Sequence, residues 1–292
     1  MINTLINSYK TVFEAEIDRL LPLNDYPYNE VLKAGRYSLL LGGKRIRPII
    51  TAEFCKLNGG KSEDSHNFAV ALEMIHTYSL IHDDLPCMDN DDLRRGQPSC
   101  HKAFGEDTAL LAGDTLLTEA FNVISKANLP SDRIVKATRC LSYYAGLHGM
   151  IGGQVLDLQF EKSNPTAEQL IDMYKRKTSG LLIAAALLGL IAAGKTDEEA
   201  FNNAKNYAND LGVAFQIIDD ILDCTADEAV LGKPVGSDEK NNKTTFVTLF
   251  GLEKAKEYAM QFTQSALDSL EKFEGDKTNL IALTEYLLKR NF

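Results

Sequence analysis

Residues 170–193 read LIDMYKRKTSGLLIAAALLGLIAA, and this stretch decides the fold class. Its apolar residues recur at three- and four-residue steps, the spacing of one face of an α-helix, at Leu170, Tyr174, Leu181, Ala184 and Leu188. The run from residue 181 to residue 193 is interrupted only by Gly189. Its 13 residues fall short of the ~20 that a membrane-spanning helix needs, so we predict a buried core helix and no membrane span.

The rest of the chain carries the same helical pattern. A second stripe runs through Phe68, Leu72, Ile75, Tyr78 and Ser79, whereas sustained period-two alternation is scarce. The breaks at glycine, proline and asparagine are short, and only residues 225–243 form a longer polar segment. We therefore predict an all-α protein of about ten helices, folded as one domain over residues 1–292.

The composition is that of an ordinary globular protein, and its charge excludes one class of partner. Of 292 residues, 31 are Lys or Arg and 41 are Asp or Glu, which gives a net charge of −10. A duplex nucleic-acid binder usually carries a basic face, so we predict no nucleic-acid binding. The five cysteines include no Cys-x-x-Cys pair and the N-terminus has no signal-peptide pattern, so we expect reduced thiols and a cytoplasmic location.

Two acidic clusters follow strongly apolar helical stretches. They are Asp83, Asp84 and Asp89, and then Asp219, Asp220 and Asp223. Asp219 and Asp223 are four residues apart and share one helix face. Asp83 and Asp89 do not fit one straight helix, and Pro86 lies between them, so we expect a helix end that lets Asp89 reach back towards Asp83.

Carboxylates without His or Cys ligands nearby favour a hard cation. Mg²⁺ fits best, because it is bound through one or two carboxylates together with waters and substrate phosphates. One such cluster alone would be interpreted as a surface helix end. Two clusters, each following an apolar helix and each with a third aspartate at short range, favour a metal site.

Basic residues are concentrated in islands although the chain is acidic. The islands are Lys44, Arg45 and Arg47, then Arg94 and Arg95, then Lys175, Arg176 and Lys177, and Lys233. Such islands suit phosphate groups, which Arg binds in a bidentate manner and Lys as a point charge. We expect Lys177 to face inward, because it continues the apolar stripe that runs through Leu170, Tyr174 and Leu181. The alternatives are a solvated loop for the first island, surface salt bridges to aspartates for the second, and a snorkelling side chain for Lys177.

These motifs together resemble the short-chain trans-polyprenyl diphosphate synthases, most closely the bacterial farnesyl diphosphate synthases. The resemblance runs from residues 42–48 to residues 289–291, and the pair of aspartate-rich motifs is its most specific feature. It implies an isoprenoid-synthase-type helical bundle around a central cavity, and it implies a homodimer.

The resemblance also implies roles for individual residues. The Mg²⁺ ligands would be Asp83, Asp84, Asp89, Asp219 and Asp223. They would bind about three ions when the substrate is present. The allylic diphosphate would contact Arg94, Lys177, Gln216 and Lys233, and isopentenyl diphosphate would contact Lys44, Arg47, His76 and Arg95. Lys243 matches a loop lysine that closes over the site, and Gln154 and Asp157 belong to a motif similar to one that lines the cavity. The catalytic residues would be Arg94, Lys177, Thr178 and Gln216, the last two with oxygens aimed at the substrate carbocation.

Product length is expected to depend on the residue five before the first aspartate, which lies at the floor of the prenyl pocket in this family. Here it is Tyr78, with Ser79 beside it, and a bulky aromatic residue predicts the fifteen-carbon product, farnesyl diphosphate. A geranylgeranyl or geranyl diphosphate synthase is the alternative within the family. A non-catalytic prenyl-diphosphate-binding subunit would tend to lose acids from one cluster, and a terpene cyclase should lack His76 and the island at residues 44–47.

Overall fold

The computed structural model describes residues 2–225 and 244–288, and these residues confirm the predicted all-α fold. The first helices are α1 (Ile2–Leu20), α2 (Asn29–Leu40), α3 (Ile46–Leu57), α4 (His66–Asp83), α5 (Cys100–Phe104), α6 (Glu106–Ser125) and α7 (Ser131–Ala145), with a 3₁₀ turn at Ser62–Ser65. The remaining helices are α8 (Met150–Phe160), α9 (Ala167–Tyr174), α10 (Gly180–Ala193), α11 (Glu198–Thr225), α12 (Phe246–Phe250), α13 (Leu252–Glu271) and α14 (Thr278–Leu288).

Two apolar helices form the centre of the bundle. In α10 every residue from Gly180 to Ala192 is buried, and the helix packs against α3, α7 and α11. Helix α4 is buried on most sides and packs mainly against α6 and α3. Helices that are apolar all round need neighbours on every side, which explains why amphipathic helices surround these two.

The continuous helical segment Ala167–Ala193 is long and apolar enough to cross a membrane, judged by length and composition within the described residues. In the fold, however, 78% of its most apolar 18-residue stretch is buried inside the protein. It therefore has the position of the predicted core helix.

That segment is not one regular α-helix, because Lys175–Ser179 form a π-helical turn between α9 and α10. The five residues of the predicted stripe are all buried, although this turn interrupts the regular winding between residues 170 and 188. A π-turn accommodates one extra residue, which changes the register of the helix that follows it. Neighbouring helices hold the turn closely: an added Cβ at Gly153 of α8 would overlap the Lys177 backbone, and one at Gly212 of α11 would overlap Ser179.

A short hairpin follows the first acidic cluster. Strands β1 (Leu93–Arg94) and β2 (Gln97–Pro98) pair antiparallel and are the only strands in the part of the chain that the structure describes. Arg95 and Gly96, with φ angles of 54° and 76°, form the two-residue turn. Positive φ at both positions is typical of a type I′ turn, which matches the twist of a hairpin.

Candidate active site

The first acidic cluster lies where α4 ends. Asp83 is the last helical residue, and the chain then folds back so that the backbone N–H of Asp89 donates to the carbonyl of Asp83 at 2.8 Å. This reversal is the one expected from Pro86. It brings the Asp89 carboxylate close enough to raise the pKa of Asp83.

Asp83 is a buried carboxyl group with competing charges around it. Burial and the nearby Asp89 raise its pKa to about 6, although Lys177 and Arg94 act in the opposite direction. Nε2 of Gln154, on α8, donates to Asp83 Oδ1 at 2.7 Å. Because the carboxylate is only partly compensated by these groups, a cation beside it would stabilise its charged form.

Asp84 and Arg94 form an ion pair with each other. Arg94 Nε donates to both carboxylate oxygens of Asp84, at 3.0 and 3.2 Å, and its Nη2 is a further donor to the same group. The Asp84 side chain is only 3% exposed. The predicted metal ligand and the predicted phosphate ligand are therefore partners in this structure, and the salt-bridge alternative applies to Arg94, although Asp84 is buried.

The second acidic cluster divides into two parts. Asp219 and Asp223 lie four residues apart on α11, as predicted, and Asp223 is 1% exposed. Asp220 faces another direction: its Oδ2 accepts hydrogen bonds from the Tyr174 hydroxyl at 2.5 Å and from the Phe246 backbone N–H at 2.9 Å. Asp220 thus ties α9 and α12 to α11, which is a structural role.

Within residues 2–225 and 244–288, no three His, Cys, Asp or Glu side chains converge closely enough to hold a metal ion by themselves. Mg²⁺ does not require such a cage, because it retains waters and is shared between one or two carboxylates and substrate phosphates. The all-oxygen donor set and the partly compensated Asp83 fit that mode of binding. The residues present therefore suit an Mg²⁺ site that the substrate completes.

The π-turn carries the next group of predicted site residues. Lys177 faces inward, as expected, and its Nζ pairs with Asp157 Oδ2 of α8 at 2.5 Å. Thr178 Oγ1 donates to Gln216 Oε1 of α11 at 2.9 Å. The structure therefore brings Lys177, Thr178 and Gln216 to the end of the bundle where Asp83 lies, and α8 contributes Gln154 and Asp157 to the same end.

An arginine cluster surrounds His76 on α4. Burial and the charges of Arg47, Arg95, Arg45 and Arg94 lower the pKa of His76 well below its ordinary value, so the imidazole is neutral. Burial and neighbouring guanidinium groups also lower the pKa values of Arg47 and Arg95, although the Glu73 carboxylate acts in the opposite direction. Cations held this close together favour an anion among them, because an anion would relieve their mutual repulsion.

The members of this cluster are not equivalent. Arg45, which is not among the predicted site residues, forms a buried ion pair with Glu73 at 3.1 Å and is structural. Arg47, like Arg45, has a buried Nε without a hydrogen-bond partner in the described structure. Arg95 Nη1 donates to the carbonyl of Gly42 at 2.5 Å, which joins the hairpin turn to the first basic island. Arg47 and Arg95, rather than Arg45, are thus available to an anion.

The remaining predicted phosphate ligands lie at the periphery or outside the described residues. Lys44 Nζ lies 4.7 Å from the ring centroid of Tyr286, on α14, so the last helix packs near the first basic island. Lys233 and Lys243 fall outside the residues that the structure describes.

The two predicted chain-length residues lie within α4. Tyr78 is 5% exposed, burial raises its pKa to about 12, and its buried hydroxyl has no hydrogen-bond partner in the described structure. Ser79 Oγ donates to the backbone carbonyl of His76 at 2.8 Å, so its hydroxyl is satisfied within the helix. Tyr78 is therefore the bulky apolar member of the pair.

Some positioning residues have a signal in the sequence and others do not. Gln154 and Asp157 are three residues apart, which places them on one face of α8, and they contact Asp83 and Lys177 respectively. The role of Asp220 has no comparable signal, because the hydroxyl and the backbone N–H that it binds come from residues 46 and 26 positions away.

Comparisons with known proteins agree with this arrangement. The polyprenyl synthetase family model matches residues 29–284. Geranylgeranyl pyrophosphate synthase 4 of Arabidopsis thaliana is 41% identical, covering 98% of this chain and 77% of that protein, and geranylgeranyl diphosphate synthase of Cyanophora paradoxa is 41% identical, covering 99% and 96%.

Solved structures extend the comparison to the fold. A geranyltransferase from Legionella pneumophila superposes with a TM-score of 0.87 at 37% identity, covering 99% of this chain and 98% of that one. An FPP/GFPP synthase from Zymomonas mobilis gives a TM-score of 0.88 at 32% identity, covering 98% of both chains. This chain belongs to the polyprenyl synthetase family, the short-chain prenyltransferases that act on isoprenyl diphosphates.

Proposed function

We propose that this protein is a Mg²⁺-dependent prenyltransferase that joins isopentenyl diphosphate head-to-tail to dimethylallyl and geranyl diphosphate and releases farnesyl diphosphate. The observation that carries the proposal is the occurrence of two anion-binding environments on one helix. Asp83 at the end of α4 suits a diphosphate bridged by Mg²⁺, and the arginines around His76 suit a second diphosphate without metal.

Each of the two environments would bind a different substrate. Asp83 and Asp89, with Asp219 and Asp223 of α11, would hold Mg²⁺, which supplies charge that stabilises the departing diphosphate of the allylic substrate. Lys177 adds positive charge to the same region, because it lies close enough to Asp83 to lower the pKa of that carboxyl.

Arg94 has to exchange Asp84 for substrate oxygens if it contacts the diphosphate. Such an exchange replaces one charge-assisted pair with another, so it need not leave either charge unpaired.

The hydrogen-bonded pair Thr178 and Gln216 presents oxygen dipoles that would stabilise the allylic carbocation once the diphosphate has left. The alkene of isopentenyl diphosphate, held by Arg47 and Arg95, then attacks the cation, and a proton is lost from the adduct. His76 is kept neutral by its surroundings, and it lies among cations that bind substrate. The departed diphosphate is the proposed proton acceptor.

The same cluster separates this proposal from the competing functions. A terpene cyclase uses one diphosphate substrate and would have no need for Arg47 and Arg95 beside His76. A non-catalytic subunit would tend to lack acids that this chain retains in both clusters. The homodimer and the cytoplasmic location are also part of the proposal, and they rest on the family resemblance alone.

Tyr78 supports the fifteen-carbon product. It is a large buried side chain that precedes Asp83 by five residues, which is about 7.5 Å along the helix axis. The twenty-carbon product is a second candidate, because several relatives 41–46% identical to this chain are named geranylgeranyl pyrophosphate synthases.

Product analysis tests both levels of the proposal. The pure protein is incubated with isopentenyl and dimethylallyl diphosphate, with and without Mg²⁺, and the dephosphorylated products are separated by length. A Mg²⁺-dependent fifteen-carbon product supports both the reaction and the role of Tyr78. A twenty-carbon product supports the reaction and contradicts the role of Tyr78, and the absence of product with any allylic primer favours a non-catalytic subunit.

Two variants test the metal site. Asp83→Ala and Asp219→Ala should each lower turnover at least about 100-fold while the far-UV circular dichroism spectrum is retained, because charge on the leaving group is no longer stabilised. Asp172→Ala is the matched control, since Asp172 is an exposed aspartate that pairs with Arg176 on the surface. Near-normal activity in both site variants would contradict the assignment.

A further inference from the structure

The helix that carries Tyr78 also carries His82, one turn nearer to Asp83. The two side chains share a helix face, with ring centroids 5.7 Å apart and an interplanar angle of 78°, which is an edge-to-face contact. Because the buried Tyr78 hydroxyl has no hydrogen-bond partner in the described structure, the position of its ring depends on packing. His82 is therefore in a position to restrain it.

His82 is itself fixed against α6. Its Nε2 lies 3.1 Å from the carbonyl oxygen of Leu110, to which it donates, and 3.9 Å from Asp114 Oδ1. The ring lies against Gly113, where any Cβ would overlap the imidazole Nε2 and Cδ2 atoms. The missing side chain at Gly113 thus creates a notch in α6, and His82 occupies it. The side chain remains 27% exposed, so its position is not simply that of a core residue.

We propose that His82, seated in the notch at Gly113, is a positioning residue that sets product length by holding Tyr78 as the floor of the prenyl pocket. The inference rests on the proposed function, in which Tyr78 limits the prenyl chain. His82 does not touch the reacting atoms. It is fixed against α6, and its edge-to-face contact restrains the ring of Tyr78.

The strength of that contact sets the expected effect. An aromatic pair of this geometry biases the position of its members about fivefold beyond simple burial. Without the imidazole, the Tyr78 ring gains freedom to move away from the prenyl chain. The ratio of twenty-carbon to fifteen-carbon product should therefore rise about fivefold in His82→Ala.

The experiment compares product ratios and steady-state constants for four single variants. His82→Ala removes the ring, and His82→Gln keeps an N–H donor for Leu110 but has no ring, so both should lengthen the product. The KM for isopentenyl diphosphate should stay within about twofold, because the contact does not involve that diphosphate. His66→Ala is the matched control: this histidine is on the same helix, pairs with Glu16 at 3.2 Å and should leave the product ratio unchanged. Tyr78→Ala establishes whether Tyr78 limits product length at all.

The double variant His82→Ala/Tyr78→Ala provides the decisive comparison. If His82 acts through Tyr78, its loss should add no further lengthening once Tyr78 is absent. A wild-type product ratio in both His82 variants, with longer products from Tyr78→Ala, would overturn the inference and leave the proposed function intact. Unchanged products from Tyr78→Ala would instead contradict the proposed floor, and the inference with it.

Gly113→Ala keeps the inference testable if the His82 variants do not fold. A methyl group in the notch would overlap the imidazole of His82. We expect the ring to move away from α6 and towards Tyr78. The expected result is a larger share of the ten-carbon product, since Tyr78 would be pushed into the pocket. An unchanged product ratio in folded Gly113→Ala would overturn the inference.

Discussion

Asp220→Ala is expected to destabilise the fold while preserving the metal requirement, although Asp220 lies inside an aspartate-rich motif. The buried carboxylate accepts hydrogen bonds from the Tyr174 hydroxyl and the Phe246 backbone N–H. Each hydrogen bond to a charged group contributes about 1.5–3 kcal/mol. Part of this is offset because a buried charge is removed as well. We therefore expect the free energy of unfolding to fall by about 3 kcal/mol.

Thermal and urea unfolding followed by circular dichroism measure this loss. Unfolding entropy of about 2.1 cal/mol/K per residue amounts to about 0.6 kcal/mol/K for 292 residues, so Tm should fall by about 5 °C. Tyr174→Phe removes only one of the two hydrogen bonds and should cost about half as much. The Mg²⁺ concentration for half-maximal product formation should stay within about twofold in both variants, since neither change removes a proposed ligand.

The opposite pattern would refute the assignment of Asp220. If Asp220→Ala retained the wild-type Tm and needed about ten times more Mg²⁺, Asp220 would be a metal ligand and not a structural residue. Equal losses of stability in Tyr174→Phe and Asp220→Ala would show that the Phe246 N–H bond contributes nothing.

Three further predictions concern other contacts of the site. Glu73→Ala should lower the free energy of unfolding by about 3–5 kcal/mol in urea titrations, because Arg45 would stay buried without its partner, and adding Arg45→Met should recover part of the loss. His76→Asn should flatten the pH dependence of stability. Below about pH 6.5 the unfolded wild-type chain takes up a proton at His76 and the folded chain does not, so the wild-type free energy of unfolding decreases by up to about 1.4 kcal/mol for each unit by which the pH is lowered. A variant that keeps the wild-type slope would contradict the neutral imidazole. Gln154→Ala should raise the half-saturating Mg²⁺ concentration about tenfold through the loss of its bond to Asp83, and unchanged Mg²⁺ dependence would rule that role out.

The elements that follow local rules could be predicted from the sequence. Burial of α10 follows from its unbroken apolar run, and the chain reversal after Asp83 follows from Pro86. The inward direction of Lys177 also agrees with its place in the stripe, although a π-turn intervenes. These features depend on neighbours within a few residues, so the periodicity and the turn residues of the sequence predict them.

Pairings between distant residues could not be predicted in the same way. The pairing of Asp84, a predicted metal ligand, with Arg94 depends on how the hairpin folds over the end of α4. Arg45 and Arg47 are two residues apart and both belong to the arginine cluster around His76, yet Arg45 also forms a buried ion pair with Glu73. Residue type and spacing identify such groups as charged, but only packing decides which partner each one receives.

The π-turn at Lys175–Ser179 has a consequence for how the family can gain and lose residues. Deleting one residue from the turn would restore regular α-helical winding, and each side chain on one side would rotate by about 100° relative to the other. Either Lys177 and Thr178 would leave Asp157 and Gln216, or α10 would present different side chains to α3 and α7. Insertions and deletions in this turn should therefore be tolerated less well than substitutions.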